Sequence, residues 1–383
     1  MRFHLLILIP IFACIAGLPL RGADEKKPPE MSPPSEIGGK SLKQWIAEIK
    51  ESDPSVIENA IRTLIHFGSA GRDAGPALIE RLDHKDSSIR VNACIVLGLL
   101  NSALHKEDLN KAVDKISTKM NEDPQSIVRF HAALALSHFG TDAKPAIPKL
   151  IAATKDGYSW EIRKAAVIAL TAAAAEKDRE KGPDPRAVAA LREALLSDTC
   201  AQVRLESAIG IGILGKPAQK FEAESVLKAL EAKFIDNNKP QDKPVAIWAY
   251  AAYMALDGIN SKKLASIAKY LKAPELAARC HAAKALSMFG SEAETHLPEL
   301  IDLLHDKQPS AVASAAEAIA HLEFDFKEKD SKPIPKITAR IKKEALPVMK
   351  ELLNDKDLDA ELRQVLLTVL DHYQEKPADK TEK

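Results

Sequence analysis

The chain has 383 residues, with 54 Lys+Arg balancing 54 Asp+Glu, 46% hydrophobic residues, 5% aromatic residues and only 16 glycines. This balance excludes an intrinsically disordered chain and an all-β sandwich, and it lacks both the basic excess of a nucleic-acid binder and an acidic solvating tail. Alanine carries much of the apolar content, in runs such as Thr171 to Ala175, and alanine favours helix.

At the N-terminus, one cation (Arg2) precedes a 16-residue apolar run from Leu5 to Leu20, interrupted by Pro10 and Pro19. A spanning helix needs roughly 20 uninterrupted apolar residues. A basic start with a short apolar core instead fits a cleaved signal peptide over 1–23, which predicts a secreted or periplasmic protein without a membrane span. Its removal leaves 52 cations against 54 acids. Cys14 follows Ile11-Phe12-Ala13, a loose likeness to a lipoprotein box, although Phe12 is bulky where such boxes carry a small residue; a lipid anchor there is the alternative. Residues 24–40 are rich in Pro and Gly and read as an extended tether. Residues 375–383 read as a charged, fraying tail.

Between them, over 41–374, one unit repeats. Pro124 to Gly140 and Pro274 to Gly290 share proline, arginine, histidine, three alanines, leucine, serine, phenylalanine and glycine in register. With Arg129 as the anchor, the frame also fits at Ile57, Arg90, Arg163, Arg204, Ala249, Arg279, Val312 and Arg363. Three residues on stands a small residue in most units (Ala93, Ala132, Ala166, Ser207), and seven on a large one (Leu97, Leu136, Leu170, Ile211). Those offsets share one helical face, the small residue allowing close approach and the large one filling the core. Successive large residues are 30 to 51 apart, the longest interval marking an insertion before Leu370. Gly68, Gly140, Gly215 and Gly290, eleven after their anchors, predict helix ends in a positive-φ conformation. A second amphipathic stretch follows with proline in its first turn, as at Pro76, Pro148, Pro298 and Pro347. No stretch alternates as a strand does, so no sheet is assigned. The expected fold is all-α: an α-solenoid of about nine helical hairpins in a right-handed superhelix, behaving as a monomer.

Asp123-Pro124, Val128-Arg129, Ala132-Ala133, Ala135-Leu136, Phe139-Gly140 and Pro145 to Leu150 together resemble HEAT repeats, in particular the bacterial, phycobilisome-lyase-like type. The resemblance implies a binding scaffold whose recurrent arginine bonds to the neighbouring unit. Asp86, Asp123 and Asp198, shortly upstream of anchors, are the expected acceptors.

Chemical motifs are sparse. Gly210-x-Gly212-x-x-Gly215 has the spacing of a dinucleotide loop, but Ile211 occupies the repeat's core position, which puts the glycines in a helix. No His among the eleven is followed by Glu, and HExxH, CxxC and GxSxG are absent, so no metal, cofactor or catalytic residue is assigned. Cys94, Cys200 and Cys280 fall in different units and read as small apolar residues rather than a disulfide framework. The expected function is non-catalytic: a scaffold holding a protein partner on a concave face of second helices. Candidate contacts there are Arg81, Lys115, Lys119, Arg192, Lys228, Lys269, Asp302 and Lys350, with Tyr158 and Trp160 as aromatic anchors. Competing readings are a lyase-like or other enzyme by family analogy and a nucleic-acid binder, the latter opposed by zero net charge.

Overall fold

A computed structural model describes residues 34–155, 157–175, 182–215, 223–233, 240–325 and 331–373. The expected signal peptide, Cys14, most of the expected tether and the expected charged tail lie outside the described residues. Contacts divide the chain into two units, one running to Ala229 and the other from Leu230 onward.

The N-terminal unit opens with a short antiparallel ladder, Glu36–Ile37 against Lys40–Ser41, joined by Gly38 (φ 58°) and Gly39 (φ 73°). Two positive-φ residues are what a tight hairpin turn requires. The indole of the buried Trp45 donates to the Ile37 carbonyl at 3.0 Å, tying the hairpin to the helix Leu42–Glu48. This corrects two expectations. The chain contains a sheet, of two residues per strand, too short to show alternation. Residues 36–40, read as tether from their glycines, are folded onto the body.

First helices then alternate with second helices. The first helices are Pro54–Thr63, Ser87–Leu99, Ser126–Phe139, Trp160–Ala174 and Ala201–Leu214. The second are Gly75–Arg81, Lys106–Glu122, Ile147–Ala153, Pro185–Ser197 and Ala223–Glu231, the last crossing the unit boundary. Consecutive first helices pack on one another and consecutive second helices do likewise, making two layers. Starts are set by caps: the carboxylates of Asp53, Asp86 and Asp184 accept from the N–H of Ser55, Ser88 and Arg186 at 2.8–2.9 Å. Ends are set by glycine. Gly140 has φ 53° and ψ −130°, and a Cβ there would touch nothing within 4 Å, so the backbone conformation, not lack of space, demands glycine.

The repeat frame carries the core. Ala93, Ala132, Ala166 and Ser207 are fully buried, as are Leu97, Leu136, Leu170 and Ile211. Each such large side chain contributes roughly 1.5–3 kcal/mol of burial. Close approach is literal at Gly98, where a Cβ would sit 3.1 Å from the Ala135 Cα. Gly210 and Gly212 lie inside the helix Ala201–Leu214 and Gly215 caps it at φ 63°, so the dinucleotide-like spacing has no phosphate loop.

The C-terminal unit continues with first helices Lys243–Asp257, Leu276–Ser287, Pro309–His321 and Ala360–His372 and second helices Ser261–Ala268, Leu297–Leu303 and Leu346–Leu352. Its core positions Leu256, Leu286 and Ile319 are buried likewise. The long interval before Leu370 holds an additional helix, Pro335–Glu344. The buried Glu323 fastens it: the carboxylate accepts from Thr338 Oγ1 and from His372 Nε2, both at 2.6 Å, and the carbonyl accepts from the Ile334 N–H at 2.7 Å. No described helix is long and apolar enough to cross a membrane.

Candidate functional site

The recurrent arginines are consumed by the fold. Arg90 Nε and Nη2 donate to both carboxylate oxygens of Asp123 at 2.7 and 2.8 Å, with the pair almost wholly buried. Its Nη1 donates to the carbonyls of His84 and Lys85 in its own preceding turn. Asp123 in turn accepts from the Gln125 N–H at 3.0 Å, and its carbonyl accepts from Arg129 at 2.7 Å. Each acid therefore links an arginine before it, a helix start and an arginine after it. The pattern recurs at Arg163–Asp198, with Cys200 and Arg204, and in the C-terminal unit at Arg279–Asp306, with Gln308. Asp123 raises the Arg90 guanidinium above its ordinary value. Burial pushes the Asp198 carboxyl up, but the Arg163 and Cys200 hydrogen bonds outweigh it and hold the group below the usual carboxylate range.

Two of the three expected acceptors thus serve. Asp86 does not, because the anchor before it is Ile57, and its carboxylate caps Ser88 instead. Asp306 went unforeseen because the acceptor lies upstream of the following anchor, which there is Val312.

The second-helix candidates are mostly stitched to their neighbours. Lys115 and Lys119 both reach Asp83, at 2.6 and 2.8 Å, and their hydrogen bonds lower the Asp83 carboxyl. Beside them Arg81 is half-buried, its Nε without a hydrogen-bond partner among the described residues. Lys149 bonds Thr118 at 2.8 Å, Lys155 pairs with Glu193, and Arg192 bonds Ser225. Lys228 pairs with Glu224 of its own helix at 2.6 Å. In the C-terminal unit Asp302 pairs with Lys272 at 3.3 Å, while Lys269 and Lys350 are exposed. Among the described candidates, Lys115 and Lys119 are brought together, on Asp83. A polar cavity of about 340 Å³ adjoins them, lined by Asp83, His84, Arg90, Lys119 and Asp123. Arg90 and Lys119 on its wall are already paired, whereas Lys85, also on the wall, is exposed.

The exposed apolar surface lies elsewhere. Leu99, Ile127, Trp160 and Ile213 are 40–45% exposed on first helices of the N-terminal unit, while Leu196 at 43% lies on a second helix and Leu367 at 40% on the last first helix of the C-terminal unit. Half-buried Val91, Ile95, Phe130 and Leu205 share that layer. The signal was present in the repeat frame: Leu99 and Ile213 are nine after their anchors and Ile127 two before, which points them opposite the core offsets of three and seven. Tyr158, half-buried, lends its carbonyl to Arg163 at 2.7 Å, so of the two aromatic candidates Trp160 is the more exposed.

Among the described residues no group of three or more His, Cys, Asp or Glu is arranged to hold a metal ion. Cys94, Cys200 and Cys280 are free, and burial pushes the Cys94 thiol up to about 12, far from a reactive thiolate.

A family model described as HEAT repeats matches residues 76–171 and 242–320. Over those residues the chain carries HEAT repeats. These segments contain the Arg90–Asp123 and Arg279–Asp306 links, whereas Asp198, the acceptor for Arg163, lies beyond residue 171. Comparison with curated proteins gives no match. Among solved structures, an engineered protein aligns at 17% identity over 87% of this chain and 98% of its own, with a TM-score of 0.34. The karyopherin Kap121p aligns when bound to the extreme C-terminus of the protein phosphatase Cdc14p (12% identity, 87% of this chain, 41% of that chain, TM-score 0.43). It also aligns when bound to Pho4p (13% identity, 87% and 37%, TM-score 0.44). This HEAT-repeat chain spans about two fifths of the Kap121p chains it resembles.

Proposed function

We propose that this HEAT-repeat protein is an exported, non-catalytic scaffold that binds a protein partner through the outer side of its N-terminal first helices. One observation carries the reading: the charged ladder is satisfied internally, whereas Leu99, Ile127, Trp160 and Ile213 leave large apolar side chains in water. Exposed aromatic and aliphatic side chains on a rigid layer are the usual anchors of protein interfaces. The export half rests on the pattern of residues 1–23 alone.

The test is capture of partners from the extracellular or periplasmic fraction by the intact protein and by an Ile127→Asp/Trp160→Ala variant. Loss of about 2 kcal/mol or more of binding with an unchanged circular-dichroism melt is expected for interface anchors. Capture unaffected by that variant but abolished by Lys115→Glu/Lys119→Glu would move the site to the second-helix layer and overturn the reading.

A further inference from the structure

The helix Pro335–Glu344 stands outside the alternation of first and second helices, and its charge is unlike that of the rest of the chain. Between Lys332 and Lys350 there are six cations and one acid, Glu344, in a chain whose charges balance overall. The helix buries Ile337 and Ile341 and is held by Thr338 on Glu323 and by Arg340 on Glu294 and Glu344, at 3.3 and 3.1 Å. Lys332, Lys336, Lys342, Lys343 and Lys350 are all exposed, and none pairs with an acid among the described residues. In the N-terminal unit Lys115, Lys119, Lys149 and Lys155 each have an acidic neighbour. The exposed lysines without one among the described residues there, Lys43, Lys50, Lys85 and Lys106, are spread along the sequence rather than gathered on one helix.

Helix stabilisation does not account for this row. Lys342 and Lys343 sit in the last turn, where a cation favours the helix dipole. Lys332 and Lys336 lie just before and within the first turn, where it opposes the dipole. Acids occupy the first turn in some other helices, as with Glu107 and Asp108, Glu161, and Glu361, although Ser261–Ala268 also carries two lysines there. The row is an uncompensated positive field on a rigid support, and it fits a complementary anion.

We propose that the exposed side of the helix Pro335–Glu344, with Lys350, is a docking surface for an acidic, extended protein segment. This deepens the scaffold reading by adding a second surface of different chemistry. Ten residues of helix span about 15 Å, the length of roughly five residues of extended chain. Among the described residues, the surface beside the lysines exposes Pro335, Ala339, Glu344 and Pro347, so it offers no bulky apolar side chain to enter a bilayer. It offers no aromatic platform on which bases would stack. A peptide carboxylate needs neither, only exposed ammonium groups at matching spacing.

The test titrates a fluorophore-labelled poly-glutamate peptide into the full chain at low salt and follows anisotropy. Reversing three charges, Lys336→Glu/Lys342→Glu/Lys343→Glu, is expected to weaken binding by about tenfold, the sum of three exposed ion pairs. The milder Lys336→Gln/Lys342→Gln/Lys343→Gln variant weakens it less and keeps the thermal melt of the parent. A charge-matched control, Lys111→Glu/Lys115→Glu/Lys228→Glu, leaves binding within about twofold if the row is the site. The proposal is overturned if the helix variants bind as tightly as the parent or if the control weakens binding equally. It also fails if a duplex oligonucleotide or a phosphatidylglycerol vesicle binds the row more tightly than the peptide. Because the Ile127/Trp160 variant tests a different unit, failure here leaves the scaffold reading standing.

Discussion

Asp123 and Asp86 occupy similar places in their units and do different work. The Asp123 side chain is buried against Arg90, whereas the Asp86 carboxylate only caps the helix starting at Ser87. Removing the charge at Asp123 strands a buried guanidinium, so Asp123→Asn is expected to lower unfolding free energy by about 3–5 kcal/mol. Asp86→Asn is expected to leave stability nearly unchanged, because asparagine caps as well as aspartate. Urea denaturation of both variants separates them, and equal losses would show that the buried pair is not what distinguishes the two sites. That aspartates would accept from the arginines was legible; which aspartates was not. The link runs forward in the chain, so an acid is recruited only when the unit before it supplies an arginine, and proximity to its own anchor carries no such information.

At the scale of the helix, the small-then-large frame was readable because helices that cross closely can keep only small residues at the crossing. Gly210 shows how strict this is. Mid-helix glycine normally costs about 1 kcal/mol relative to alanine. Yet a Cβ at Gly210 would collide with Thr171 Oγ1 on the neighbouring first helix, with Leu191 also within contact. Gly210→Ala is therefore expected to destabilise by about 1–3 kcal/mol despite its better propensity. Pairing it with Thr171→Ala is expected to recover most of the loss, measured as a double-mutant cycle by thermal unfolding; strictly additive effects would refute the steric account. The hairpin at Glu36–Ser41 escaped the sequence because two-residue strands have no period to detect. The exposed row of Leu99, Ile127 and Ile213 escaped for another reason. By hydropathy alone an apolar residue at an outward offset is indistinguishable from one in the core.

In the N-terminal unit as a whole, acidity acts through many carboxylates at once. Asp83, Asp86, Asp184 and Asp198 all titrate below their ordinary values, chiefly through hydrogen bonds to lysine, arginine or backbone N–H groups, against opposing burial at Asp198. A carboxyl depressed by folding contributes stability that is present above its unfolded value and is lost as pH falls through the folded one. The unit is therefore expected to hold its stability down to about pH 4 and to lose it progressively below, with the loss reduced in an Asp198→Asn variant. Denaturant midpoints from pH 7 to pH 2 decide this, and a flat profile would contradict it. The forward-reaching arginine also bears on how such a chain can lengthen. A copied segment is accommodated only if its leading turn brings an aspartate for the guanidinium already in place and its closing helix brings an arginine for the turn that follows. Donor and acceptor must be inherited across the seam together. The gaps at Ile57, Ala249 and Val312 then mark the joints where foreign pieces could be spliced in without orphaning a charge.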